Sequence, residues 1–313
     1  MKAVVFNTYG GNDVLEVQEV IKPAIKPDEV LIRVHAAGVN PVDWKVREGQ
    51  AKILTGSRFP KVLGIECSGE IVEMGSLVEK FRAGDAVIAN AGMRIGAYAE
   101  YVTVRGQAVF LKPELVAFED AATLPIAGLT ALQAIRDKGG IAPGKQVLIN
   151  GASGGVGTFA VQIAKILGAE VTAVCSAANA GLVKRLGADH VIDYHQQDFT
   201  KTTDRYDCIF DAVSSRSFGE CKRSLTERGV YVNTLPTPSI FWNIFITTLL
   251  PGKKAATMMV SQREADMEWM CEQLKTGRLK VVIDKVFPLD QIKDALAYSQ
   301  TGRARGKIVL KVL

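Results

Sequence analysis

At 313 residues the chain is longer than one hydrophobic core usually serves, about 250 to 300 residues, so two domains are expected. Hydrophobic residues at 48% and charged residues at 23% exclude a disordered or fibrous chain. The formal charge of +5 arises from 38 basic and 33 acidic residues scattered without a like-charge block, which gives no reason to expect a nucleic-acid partner.

The first half reads as short strands and turns. Residues 3–7, 15–20, 29–37, 69–74, 85–89 and 99–104 carry strand-like patterns, separated by Gly10-Gly11, Pro27-Asp28 and Gly84-Asp85. This is the pattern of a compact, barrel-like β domain. The chain enters its first strand at once, without a signal-peptide pattern, and a cytoplasmic location is the expectation. Five cysteines, Cys67, Cys175, Cys208, Cys221 and Cys271, are an odd number without CxxC spacing and read as reduced core thiols.

After about residue 120 the character changes. An apolar helical run over 121–135 is followed by strands at 146–150, 170–174, 190–193, 206–212, 229–234 and 256–260, with helices at 156–167, 179–186 and 214–225. Alternating β and α segments with apolar strands predict a parallel sheet covered on both faces, and six strands fit one doubly wound domain. The stretch 240–250 is apolar but too short for a bilayer, which needs about 20 residues; a buried helix, a pocket wall and a subunit contact remain open for it. A helix at 263–275, a strand at 280–287, a helix at 290–300 and a strand at 307–312 break the alternation, so the C-terminal segment is expected to return to the first domain.

The sharpest motif is GASGGVG, residues 151–157, directly between a strand and a helix. Ala152 stands at the first glycine position of the dinucleotide fingerprint, Gly154 at the second and Gly157 at the third. Gly154 lets main-chain N–H groups approach a pyrophosphate, and Gly157 lets the helix sit close to the sheet. Ser153, Gly155 and Val156 complete the turn, and the helix N-terminus adds partial positive charge. The second strand lacks the terminal carboxylate that holds an NAD ribose 2′-hydroxyl. It ends instead in Val174, Cys175 and Ser176, with Asn179 beyond, which favours NADPH. Ser176 and Asn179 are candidate donors to the 2′-phosphate, and Lys184 or Arg185 candidate charges, although a solvated helix face is the better reading of the last two.

Taken together, the β-rich start, the GASGGVG turn and the element order resemble the medium-chain dehydrogenase/reductase superfamily. NPVDWK at 40–45, LPIAGLTALQAI at 124–135, LVKRLGADHVIDY at 182–194 and TGRARGKIVL at 301–310 resemble its quinone oxidoreductase branch, nearest to chloroplast-envelope quinone oxidoreductase homologues and alkenal/enone oxidoreductases. The resemblance spans essentially the whole chain. It implies a GroES-like substrate domain (1–119 completed by 278–313), a Rossmann NADP(H)-binding domain (120–277) and a homodimer.

Zinc relatives carry a cysteine ligand where this chain has Asn40, and a histidine where Gly64-Ile65-Glu66 has Ile65. A zinc site needs three protein ligands, so no metal is expected. His35, His190 and His195 are too isolated to rebuild one. Without a Lewis acid, alcohol oxidation is disfavoured and hydride transfer to a quinone or an α,β-unsaturated carbonyl is favoured.

The resemblance places Asn40 at the vacated metal position, with its amide available to substrate oxygen or nicotinamide ribose. Lys45 stands where many quinone oxidoreductases have a tyrosine, and suits either enolate stabilisation or plain solvation. Asp43 reads as ordering the loop ahead of moving a proton. Thr130, Tyr194, Leu235, Pro236 and Lys307 are implied near the cofactor. The alternatives are a zinc-type alcohol dehydrogenase and a low-turnover NADPH-binding regulatory protein.

Overall fold

The computed structural model describes all 313 residues and divides into two units. The first comprises Met1–Ile126, Gln262–Lys275 and Ile283–Leu313; the second comprises Ala127–Ser261 and Thr276–Val282.

In the first unit β1 (Lys2–Phe6) pairs antiparallel with β2 (Leu15–Glu19). Then come β3 (Glu29–Val39), α1 (Pro41–Arg47), α2 (Lys52–Thr55), β4 (Lys61–Val62), β5 (Glu66–Met74), β6 (Ala86–Asn90), β7 (Tyr101–Arg105), β8 (Val109–Leu111) and α3 (Phe118–Ala121). The second unit supplies α4 (Leu129–Leu132), β9 (Gln146–Asn150), α5 (Gly155–Ile166), β10 (Glu170–Cys175), α6 (Ala180–Arg185), β11 (His190–Asp193), β12 (Tyr206–Asp211), α7 (Phe218–Cys221), β13 (Leu225–Asn233), α8 (Pro238–Leu249) and β14 (Lys254–Thr257). Back in the first unit are α9 (Glu264–Lys275), β15 (Ile283–Pro288), α10 (Ile292–Gln300) and β16 (Lys307–Lys311).

Strand β3 organises the first unit. Along its first half it pairs antiparallel with β7, along its second half with β16, and throughout with β5. Register shifts between Leu31 and Ile32 and between Val34 and Ala36 bend it enough to change partners. Val30, Ile32 and Val34 point to one face by strand alternation and bury there with Phe6, Ile71, Tyr98 and Leu310. β16 therefore returns from the far end of the chain to lie against β3, and Lys307 opens it.

The second unit is a six-stranded sheet in the order β11-β10-β9-β12-β13-β14, all parallel. The strand order reverses between β9 and β12, which is the crevice where doubly wound sheets take ligands. GASGGVG leaves the carboxyl end of β9 at that switch point.

Several expected elements change. The expected helical run over 121–135 starts later and changes pitch: after α3 the chain is helical without interruption from Leu124 to Lys138, with wider turns on either side of α4. Pro125 lies in the first turn of that helix, where no N–H is needed. The expected helix 214–225 shrinks to α7 and one tight turn: Ser214 has φ 52° and Ser217 caps α7 through Glu220. β14 begins and ends earlier than the expected 256–260, and 280–287 orders only as β15. The domain boundaries also move. The first falls at Ile126, and α9, expected with the nucleotide domain, belongs to the first unit, where Met267 and Cys271 share a hollow with Phe110 and Leu111.

The apolar stretch 240–250 forms α8, begun by Thr237, whose side chain accepts from Ile240 N–H. It is not a buried helix. Ile240 and Thr247 are its buried residues, while Phe241, Trp242 and Phe245 are 49%, 64% and 56% exposed. No helix of the chain is long and apolar enough to cross a membrane.

Candidate functional site

In the second unit the turn after β9 is tied down from beneath. The N–H groups of Gly151 and Ala152 both donate to Val174 O at 3.1 Å, and Gly154 N–H donates to Gly151 O at 3.0 Å. Gly154 is extended, with φ −82° and ψ 177°, and α5 starts immediately after it. The first-turn amides of α5, on Gly155, Val156 and Gly157, have no acceptor inside the helix, and they join the helix's positive end. Below, Asn150 Nδ2 donates to Asp211 Oδ1 and to Ser215 Oγ at 2.9 Å, locking the ends of β9 and β12 together.

Ser153 and Asn179 meet: Asn179 Nδ2 donates to Ser153 Oγ at 3.0 Å, and Asn179 Oδ1 is buried with no protein partner. Ser176, half-buried, caps the short turn that contains Asn179. No carboxylate stands between Cys175 and Asn179. A dinucleotide fits this cradle, since the turn offers main-chain amides; Asn179, its Nδ2 engaged with Ser153, presents an acceptor oxygen at the end of β10 in place of the expected donor. Lys184 is exposed in the last turn of α6, at the end of the helix remote from Asn179. Thr130 is buried in α4, whereas Tyr194, stacked obliquely on His195 at 4.3 Å, and Leu235 and Pro236 are exposed.

In the first unit Asn40, Asp43 and Lys307 come together although 267 residues separate the outer two. Asn40 ends β3 and caps α1; Asp43, three residues on, accepts from Asn40 N–H through Oδ2 at 2.7 Å. Lys307 Nζ donates to Asn40 Oδ1 at 2.7 Å and to Glu66 Oε1 at 2.9 Å. Asn40 Nδ2 also donates to Glu66 Oε1, at 2.7 Å, and Glu66 Oε2 accepts Ile126 N–H at 2.8 Å. Gly38 makes the room: a Cβ there would lie 2.2 Å from Glu66 Oε1 and 2.7 Å from Ala122 O.

Two residues of this cluster have no strong signal in the sequence. Glu66 is visible only as the acid retained beside Ile65. Tyr98, between β6 and β7 in a run of small residues, donates to Asp43 Oδ2 at 2.8 Å. All five side chains are at most 3% exposed. Burial, followed by the nearby Glu66 charge, outweighs the hydrogen bonds from Asn40 and Tyr98 and pushes the Asp43 carboxyl up to about 7. Burial and then Asp43 itself push the Tyr98 phenol well up, so it stays a donor.

Two expectations change here. Asn40 does not hold its amide outward, because Nδ2 faces Glu66 Oε1 and, at 3.5 Å, Gly38 O. Lys45 stands outside the cluster, with Nζ 5.4 Å from the centre of the Trp44 ring. The donor set does not fit zinc: an ammonium already occupies the space between the Asn40 and Glu66 oxygens, and no group of three or more His, Cys, Asp or Glu side chains is placed to hold a metal.

The comparisons with known proteins reach residues of both units. The alcohol dehydrogenase GroES-like domain matches residues 26–114, and the zinc-binding dehydrogenase family matches residues 186–310. The chain is 35% identical to the chloroplast envelope quinone oxidoreductase homolog of Arabidopsis thaliana, covering 99% of this chain and 98% of that protein. It is also 35% identical to the chloroplastic NADPH-dependent alkenal/one oxidoreductase of the same plant, over 99% of this chain and 79% of that one. The quinone oxidoreductase structure from Coxiella burnetii superimposes with a TM-score of 0.93 at 33% identity, over 100% of this chain and 99% of that chain. With a doubly wound sheet, a β-rich partner unit and relatives matched end to end, the chain belongs to the medium-chain dehydrogenase/reductase superfamily, in its quinone oxidoreductase branch.

Proposed function

We propose that this protein is an NADPH-dependent, zinc-independent reductase of quinones or α,β-unsaturated carbonyls. The observation that carries the reading is the glycine turn 151–157 at the switch point of the parallel sheet, with no carboxylate at the end of β10. NADPH, when bound, supplies the hydride. The turn would hold its pyrophosphate through the amides of Ser153, Gly155, Val156 and Gly157, with Ser176 and, once its amide turns from Ser153 to present Nδ2, Asn179 at the 2′-phosphate. The proposal retains Thr130, Tyr194, Leu235 and Pro236 as further cofactor contacts.

What the first unit supplies is fixed positive charge. Lys307 uses two of its three N–H donors on Asn40 and Glu66, so the ammonium is held in place before any substrate arrives. Preorganised charge of this kind stabilises the enolate or quinolate oxygen that forms when hydride adds to the conjugated system. Lys45, outside the buried cluster, is the second candidate cation.

The test is NADPH oxidation with a quinone, a simple alkenal and a saturated aldehyde side by side, repeated with NADH. Quinone and alkenal are expected to turn over and the aldehyde hardly at all. NADPH is expected to be preferred by about tenfold or more, the worth of hydrogen bonds to one charged group. Equal rates with NADH would overturn the reading of the β10 end, and aldehyde reduction matching alkenal reduction would overturn the reaction class. We place the protein as a homodimer on the strength of α8, whose exposed aromatic face carries no charged residue; sedimentation velocity checks it.

A further inference from the structure

The buried cluster of the first unit holds two carboxyl groups, Asp43 and Glu66, against one ammonium, Lys307. We propose that Tyr98 and Asp43 form a proton-holding arm of this cluster, which positions Asn40 and through it Lys307, so that the cluster works while Asp43 carries a proton and fails once Asp43 ionises. The consequence for turnover rests on reading Lys307 as the charge that faces the substrate oxygen.

The geometry leads to one exchangeable proton. Glu66 has partners on both oxygens: Asn40 and Lys307 on Oε1, the Ile126 amide on Oε2. Asp43 does not. Its Oδ2 receives Asn40 N–H and the Tyr98 hydroxyl, while Oδ1 is buried without any partner. An ionised oxygen in that position carries a desolvation cost that a neutral carboxyl largely escapes. With the proton on Asp43 the cluster is neutral; without it, one ammonium faces two carboxylates.

The charged and titratable groups around Asp43 come from four elements. Tyr98 approaches from the segment between β6 and β7, Glu66 from the start of β5 and Lys307 from the start of β16. On α1 itself, Arg47 is turned away toward Gly10 O, Asn12 and Glu48, and Lys45 toward Trp44. Lys307 is thus the one cation among the groups acting on Asp43. Ionisation of Asp43 draws Lys307 from Asn40 and Glu66 and weakens the charge offered to substrate. The carboxyl value of about 7, set first by burial, puts this change in the neutral range. The sign is fixed: activity is present below the midpoint and lost as pH rises through it.

Tyr98 is a positioning residue, and its removal has a direction. Its hydroxyl donates to the carboxylate form, so Tyr98→Phe raises the Asp43 midpoint, by about one pH unit. The experiment has a readout that needs no turnover. Difference infrared spectroscopy of the whole protein is expected to show the carbonyl stretch of a protonated carboxyl that disappears around pH 7 and is absent from Asp43→Asn. In Tyr98→Phe the infrared midpoint and the alkaline fall in kcat for alkenal reduction are expected to move up together. If Asp43→Asn fails to fold, the Tyr98→Phe shift carries the test. No titrating band in the wild-type protein, or a kcat midpoint that Tyr98→Phe leaves in place, overturns the proposal. A band that titrates and shifts in a protein reducing no quinone or alkenal supports the proton arm and overturns the functional reading instead.

Discussion

Gly154→Ala is expected to abolish tight NADPH binding while leaving the fold intact. Two glycines of one turn differ in what surrounds them. At Gly154 the backbone is extended, at φ −82°, and a Cβ would meet only Gly151 O, at an ordinary 3.4 Å. Nothing in the protein resists a methyl group there. If the pyrophosphate lies against that backbone, the methyl takes its place and pushes it off the main-chain amides. At Gly157 the added Cβ would lie 2.2 Å from Gly151 O and 2.7 Å from Ala152 Cα, both main-chain atoms that cannot step aside. Gly157→Ala is therefore expected to lower thermal stability and weaken binding together, because α5 must lift off the turn. Calorimetric titration with NADPH, alongside thermal melts, separates the two effects. Unchanged NADPH affinity in Gly154→Ala would mean that the cofactor does not touch this turn.

The second large effect falls on Lys307. Lys307→Met leaves the Glu66 carboxylate fully buried with its ammonium gone, and breaking a buried pair from one side costs about 3–5 kcal/mol. The urea midpoint is expected to fall accordingly. Glu66→Gln combined with Lys307→Met is expected to cost less than the sum of the two single changes, because the neutral amide no longer needs a cation. The same lysine is proposed to stabilise the oxyanion, so quinone and alkenal reduction are expected to fall about 10²- to 10³-fold in both the single and the double variant. A double variant that recovers stability and activity together would show that Lys307 has a structural role alone.

What was legible in the sequence follows physical range. The six parallel strands and the glycine turn are local patterns, since strand alternation and a strand–turn–helix junction fall within a few residues; the turn stands where the pattern puts it, and all six strands form, with β13 and β14 starting earlier than expected. The cluster depends on non-local pairing. Asn40 and Asp43 share a helix cap, but Lys307 reaches them only because β16 pairs with β3, Ile308 opposite Val39. Tyr98 is brought in by backbone bonds that no periodicity announces: Tyr98 N–H donates to Leu63 O, and Val4 N–H to Tyr98 O.

The helical stretches were legible to different degrees. The run 121–135 is apolar at helical spacing and does form a helix, from Leu124 to Lys138, with Pro125 in the first turn where it removes no hydrogen bond. Over 214–225 the expected helix is cut short, because the Ser217–Glu220 cap starts it late and β13 claims Leu225. The stretch 240–250 shows the limit of composition: its apolar residues form a helix whose aromatic face is exposed, which hydropathy alone cannot separate from a buried one.

The central claim is that hydride adds to a conjugated carbon and not to a carbonyl carbon. Reduction of an alkenal with NADPH deuterated at the transferred position, followed by NMR of the product, tests it most directly. The account predicts a saturated aldehyde carrying deuterium on the carbon β to the carbonyl; an unsaturated alcohol with deuterium on the former carbonyl carbon would contradict it.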